Sequence, residues 1–107
     1  MPYHDEKLSE LIRELAAEYL QRESNLQSMI TVTSVRTFDN NKEATIYVTV
    51  FPDDKEKAAV DFLKRKRSDF REYVKDKSSI GHIPFFDFEI DEGEKNRQRI
   101  EELSKNT

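Results

Sequence analysis

Seven cations fall within the fourteen residues from Lys64 to Lys77: Lys64, Arg65, Lys66, Arg67, Arg71, Lys75 and Lys77, against the anions Asp69, Glu72 and Asp76. Clustered Lys and Arg neutralise phosphates, so this segment is the candidate for contact with an RNA backbone. The plainer reading is a solvated helix face held by local pairs, Asp69 with Arg65 and Glu72 with Lys75. Position favours function, because four consecutive cations stand where an apolar helix stripe should continue. The rest of the chain is acidic: residues 85–102 hold seven anions and three cations, and the first 23 residues six and three. With a net charge of −4, RNA binding would rest on one shaped site rather than on bulk charge.

Other chemistry is poorly supplied. His82 could act as a base and Ser78 or Ser79 as a nucleophile, but no residue orients them, and catalysis requires that geometry. Asp87 and Glu89 alternate on one strand face like paired carboxylates, yet a polar sheet face explains them with less. Tyr47 and Phe85 could stack bases, but neither sits in a basic-Gly-aromatic motif, and ordinary surface roles suffice. There is no cysteine, which removes thiolate chemistry, and only His4 and His82 could offer imidazole, which leaves little for zinc. Two glycines cannot build a phosphate-cradling loop. The expectation is no enzyme, no metal, no cofactor and no small-molecule substrate. No apolar run reaches the ~20 residues of a membrane span, and the N-terminal residues lack a signal-peptide pattern, so a cytoplasmic protein is expected.

The elements that must carry the basic segment can be read from periodicity. Leu8, Leu11, Ile12, Leu15, Tyr19 and Leu20 recur at helical spacing over residues 5 to 23, with Asp5 as cap and Ser24-Asn25 as the stop. Residues 29 to 38 and 44 to 51 are β-branched runs joined by Asp39-Asn40-Asn41-Lys42, which predicts an antiparallel hairpin. Its outward residues Thr45, Tyr47 and Thr49 are expected to meet solvent. Residues 54 to 76 read as helix in two apolar patches, Ala58, Ala59, Phe62 and Leu63, then Phe70, Tyr73 and Val74. A continuous helix would bury Lys66 or Arg67, so a kink is expected near Ser68. Ser78 to His82 is a loop, and Pro84 opens a third strand with Phe86, Phe88 and Ile90 inward. Beyond Asp91 only Ile100 and Leu103 are apolar, predicting a short, weakly docked helix within 92–107. At 107 residues one α+β two-layer domain over 1–107 is expected, with helices on one face of a three-stranded sheet.

This ordered set resembles the ribosome-binding factor A family of bacterial small-subunit assembly factors. The resemblance runs from about Leu8 to Leu103. It rests on the helix Leu11 to Leu20, the hairpin ITVTSVRTFDNNKEATIYVTVF, the segments SDFREYV and IPFFDFEID, and Arg99-Ile100. It implies a type II KH-like domain, helix-strand-strand-helix-kink-helix-strand. Lys66-Arg67-Ser68 stand where the family kinks at Ala-x-Gly, and the resemblance places rRNA contacts at Arg71, Lys75 and Lys77. It further implies a non-enzymatic, monomeric factor that binds the immature small (30S) subunit and assists 16S rRNA processing. The alternative is a KH-fold protein–protein adaptor without RNA binding.

Overall fold

The computed structural model describes residues 5–23 and 28–105. His4 and the Ser24-Asn25 stop lie outside them. Helix α1, Asp5–Arg22, buries Leu8, Ile12, Leu15, Ala16, Tyr19 and Leu20, the apolar stripe that its spacing predicts. Strands β1, Met29–Phe38, and β2, Glu43–Phe51, pair antiparallel. At the turn Asp39, Asn40 and Asn41 all take positive φ, a conformation Asn and Asp accept at low cost. Strand β3, Phe85–Ile90, lies parallel to β2, which places β2 at the centre of the order β1-β2-β3. Parallel neighbours need a long crossover, and residues 52–84 supply it.

That crossover comprises one 3-10 turn, Asp53–Lys55, then α2, Glu56–Arg65, and α3, Arg67–Lys77. The break falls at Lys66 (φ −95°, ψ 4°), two residues before Ser68, which belongs to the first turn of α3. Lys66 N–H reaches the Leu63 carbonyl at 3.0 Å, and its own carbonyl accepts from Phe70 N–H at 2.8 Å. The change of direction lets Leu63 and Phe70 both reach the core while Lys66 extends its ammonium over the Phe62 ring, 5.7 Å from the centroid. Phe70 is the hub of the core: its ring lies 5.2 Å from Tyr19, 4.8 Å from Phe86 and 5.8 Å from Phe88, edge-on to each. Ala58 departs from the expected patch and is exposed, leaving Ala59 and Leu63 buried with Phe62 at the margin.

The outer sheet face is less open than expected. Thr45 and Thr49 are each only 8% exposed. Thr45 has a strand on both sides, while Thr49, beyond the last β2–β3 pair, lines a groove with Lys95, Gln98 and Arg99 of the C-terminal helix. Register sets Thr45 between Arg36 and Asp87 and puts Thr31 opposite Thr49. The last helix, α4, is also longer than expected, Glu92–Lys105. Its apolar residues do not dock it: Ile100 is 64% and Leu103 62% exposed. Ion pairs hold it instead, Lys95 to Glu56 at 3.0 Å and Arg99 to Asp53 at 3.1 Å. At its start Asp91 Oδ1 accepts the Glu94 N–H at 3.0 Å, a side-chain cap.

Candidate nucleic-acid interface

The basic segment is delivered by the end of α2, the break and α3, and its seven cations have different surroundings. Lys64 and Arg67 converge on the edge strand β3, where Lys64 Nζ lies 2.8 Å and Arg67 Nη1 3.4 Å from Asp87 Oδ1. The same oxygen accepts the Phe88 N–H at 2.9 Å. Partial burial works to raise the Asp87 pKa, but the Lys64 ammonium, the Phe88 amide and Arg67 outweigh it and hold the carboxyl below its usual range. Arg67 also donates from Nε to the Lys64 carbonyl at 3.0 Å, closing the last turn of α2 with a side chain.

Arg71, one turn further along α3, points at the loop that leads into β3. Its Nη2 donates to the Ile83 carbonyl at 2.8 Å and its Nε to the Pro84 carbonyl at 3.1 Å. Two carbonyls that have no sheet partner yet are satisfied this way, and a planar fork suits the task. The guanidinium also lies over the Phe85 ring, 4.7 Å from its centroid. Lys77 leaves this face and extends over Tyr73 at 5.8 Å.

Arg65 and Lys75 are exposed, and neither makes an ion pair among the described residues. The local pairs considered from sequence, Asp69 with Arg65 and Glu72 with Lys75, do not form. Asp69, itself exposed, instead accepts the hydroxyl of the buried Tyr19 at 2.5 Å. Burial, then this bond, raises the Tyr19 pKa far above an ordinary phenol. The segment thus divides: Lys64, Arg67 and Arg71 are tied to the fold along β3, while Arg65, Lys66, Lys75 and Lys77 have no carboxylate partner among the described residues. Arg67, Arg71 and Lys75 share one stripe of α3 at four-residue steps.

His82 is an exposed loop residue, and no hydrogen bond brings Ser79 or a carboxylate to it. Ser78 donates to the Val74 carbonyl at 2.7 Å, a helix-end contact. No group of three metal-ligating side chains occurs among the described residues, and no described helix is long and apolar enough to cross a membrane. The role of Asp87 was legible only in part: alternation put it on the outer face, but that two cations would meet it depended on β3 being an edge strand.

A family model described as Ribosome-binding factor A matches residues 4–104. The chain is 36% identical over 100 residues to Ribosome-binding factor A of Thermobifida fusca, covering 91% of this chain and 66% of that protein. It therefore spans a little under two thirds of the length of the curated relatives it matches. The crystal structure of ribosome-binding factor A from Thermus thermophilus superposes with a TM-score of 0.73 at 19% identity, over 81% of this chain and 94% of that one. A Thermus thermophilus homology model fitted into a cryo-EM map of a 30S–RbfA complex gives 0.65 at 20% identity, over 74% and 86%. The fold is accordingly KH-like and α+β, and the chain belongs to the ribosome-binding factor A family.

Proposed function

We propose that this chain is a non-enzymatic assembly factor that binds the immature 30S subunit in the cytoplasm and assists maturation of 16S rRNA. Family membership and the 30S complex of a Thermus thermophilus relative support the partner. The observation that carries the RNA contact is the set Arg65 and Lys66 at the helix break and Lys75 further along α3, exposed or half-exposed and without a carboxylate partner among the described residues. Lys64, Arg67 and Arg71, which are tied to the fold, and Lys77 over Tyr73 add positive potential around them. A row of cations on an otherwise acidic protein orients its approach to RNA.

Co-sedimentation with small subunits across a salt series tests this. Saturable, salt-sensitive pelleting with the small subunit and not the large one is expected. Combined Arg65→Ala, Lys66→Ala and Lys75→Ala should weaken binding and flatten the logarithmic salt slope by about 0.7–0.9 per lost phosphate contact. An unchanged slope removes this face from the interface. Absence of pelleting at low salt replaces the reading with a protein–protein adaptor.

A further inference from the structure

Strand β3 opens with two phenylalanines that do different things. Phe86 is buried against Phe70, whereas Phe85 is 65% exposed. Nothing in the packing of the core requires an aromatic ring at position 85. Its environment is nevertheless built. The Arg71 guanidinium, fixed by the Ile83 and Pro84 carbonyls, lies over the ring at 4.7 Å, so the cation cannot swing away without abandoning two hydrogen bonds. Beside the ring runs a groove of about 420 Å³ between the start of α3 and β3, lined by Arg67, Ser68, Arg71, Glu72, Phe85 and Phe86. Lys64 stands with Arg67 at Asp87, two residues along the same strand.

We infer that Phe85, backed by Arg71, is a stacking platform for one unpaired nucleobase, with the adjoining phosphate met by Lys64 and Arg67. This deepens the RNA-binding reading above and rests on it. A base offers a flat face to an aromatic ring or to a guanidinium, and both are present here in one rigid unit. Arg71 lies over the ring, Arg67 shares its groove with Glu72, and Lys64 joins Arg67 at Asp87. Three cations against two carboxylates leave this side positive, which fits an anionic ligand better than an apolar side chain of a partner protein. The ligand class is single-stranded RNA, since the bases of a duplex are stacked on one another and cannot reach a side chain on a strand edge.

The test is fluorescence anisotropy of the whole chain with labelled hexauridylate, beside a blunt RNA duplex and the small-subunit pelleting assay. Phe85→Ala should lower affinity for hexauridylate about tenfold at fixed salt while leaving the salt slope unchanged. Phe85→Leu should fall with it, and Phe85→Trp should retain affinity. The chain contains no tryptophan, so Phe85→Trp also supplies a single reporter whose emission stacking would quench. Urea midpoints close to that of the parent protein confirm that the variants fold.

Equal affinity for Phe85→Ala and the parent, or full affinity for Phe85→Leu, overturns the platform. So does the absence of hexauridylate binding by the parent at low salt, or a preference for the duplex. Loss of pelleting by Phe85→Ala with hexauridylate affinity intact assigns the ring to a ribosomal protein and equally overturns it. Failure of the parent to pellet with small subunits sinks the assembly-factor reading alone, because the tryptophan signal still decides the platform.

Discussion

Arg71 stands among cations that a count of charge treats as equivalent, and the structure separates it from them. Its guanidinium closes two main-chain carbonyls at the entry to β3, so its removal leaves Ile83 and Pro84 short of a donor in a half-buried position. Leaving such groups unsatisfied costs about 1–2 kcal/mol. Arg71→Ala should therefore lower the urea midpoint of unfolding, and Arg71→Lys should recover only part of it, since an ammonium cannot hold the fork geometry. Lys75→Ala, one turn on and without an ion pair among the described residues, should leave the free energy of unfolding within about 0.5 kcal/mol of the parent. If the two alanine variants unfold alike, Arg71 is not the structural cation that its contacts make it. The comparison also bears on RNA work: a binding defect in Arg71→Ala mixes lost charge with a disturbed β3, whereas one in Lys75→Ala does not.

The helix break shows how far local pattern carries and where it stops. The interruption of the apolar stripe at Lys66 and Arg67 was sufficient to predict two helices, because no unpaired cation would be buried between Leu63 and Phe70. Its position was not readable, since either Lys66 or Ser68 could end a turn. Lys66 adopts φ −95° and ψ 4°, a bridge conformation open to any L residue. The small residues that the resemblance implies at this kink are therefore unnecessary for the break. Ser68→Gly, which moves the chain towards the family pattern, should cost about 0.5–1 kcal/mol because it places glycine in the first turn of α3, as read by urea unfolding. A stabilising Ser68→Gly would mean that the break wants a freedom that Lys66 does not show. The hairpin was similarly legible at its turn and obscure at its bulge. In β1 the apolar residues packed against the core are Ile30 and Val32, then Val35, a change of parity that marks the extra residue Thr33, which is missing from the pairing between Val32 and Ser34. Parity within the strand carried that signal. The parallel placement of β3 had no local signal, because it is fixed by the packing of α2 and α3 across the sheet.

At the scale of the molecule one carboxylate joins three separate parts. Asp91 extends the β2–β3 ladder through its N–H to the Val48 carbonyl at 2.8 Å, caps α4 through Oδ1, and accepts the Thr33 hydroxyl through Oδ2 at 2.6 Å. The bulge in β1 thereby reaches across the sheet to the start of the C-terminal helix. Further along α4 the Lys95–Glu56 pair is partly buried and the Arg99–Asp53 pair exposed, so this corner sets the direction in which α4 leaves the domain and the ion pairs hold it along its length. The Thr33 hydroxyl, followed by the Glu94 amide, holds the Asp91 carboxyl below its ordinary range despite some burial. Unfolding frees that carboxyl to titrate near 3.9. A folded-state value below the unfolded one means that the contribution is complete above about pH 4 and is lost as pH falls through the folded value. Asp91→Asn keeps the capping oxygen but removes the charge, so at pH 7 it should cost up to about 1 kcal/mol. The gap between parent and variant should then close as pH is lowered below 4, because protonation makes the parent resemble Asn. Urea midpoints of both proteins at pH 7 and at pH 3 read this directly. Thr33→Val should shrink the pH-dependent part in the parent while leaving the cap in place. A gap that is as wide at pH 3 as at pH 7 would mean that Asp91 acts through shape alone and that charge plays no part in anchoring α4.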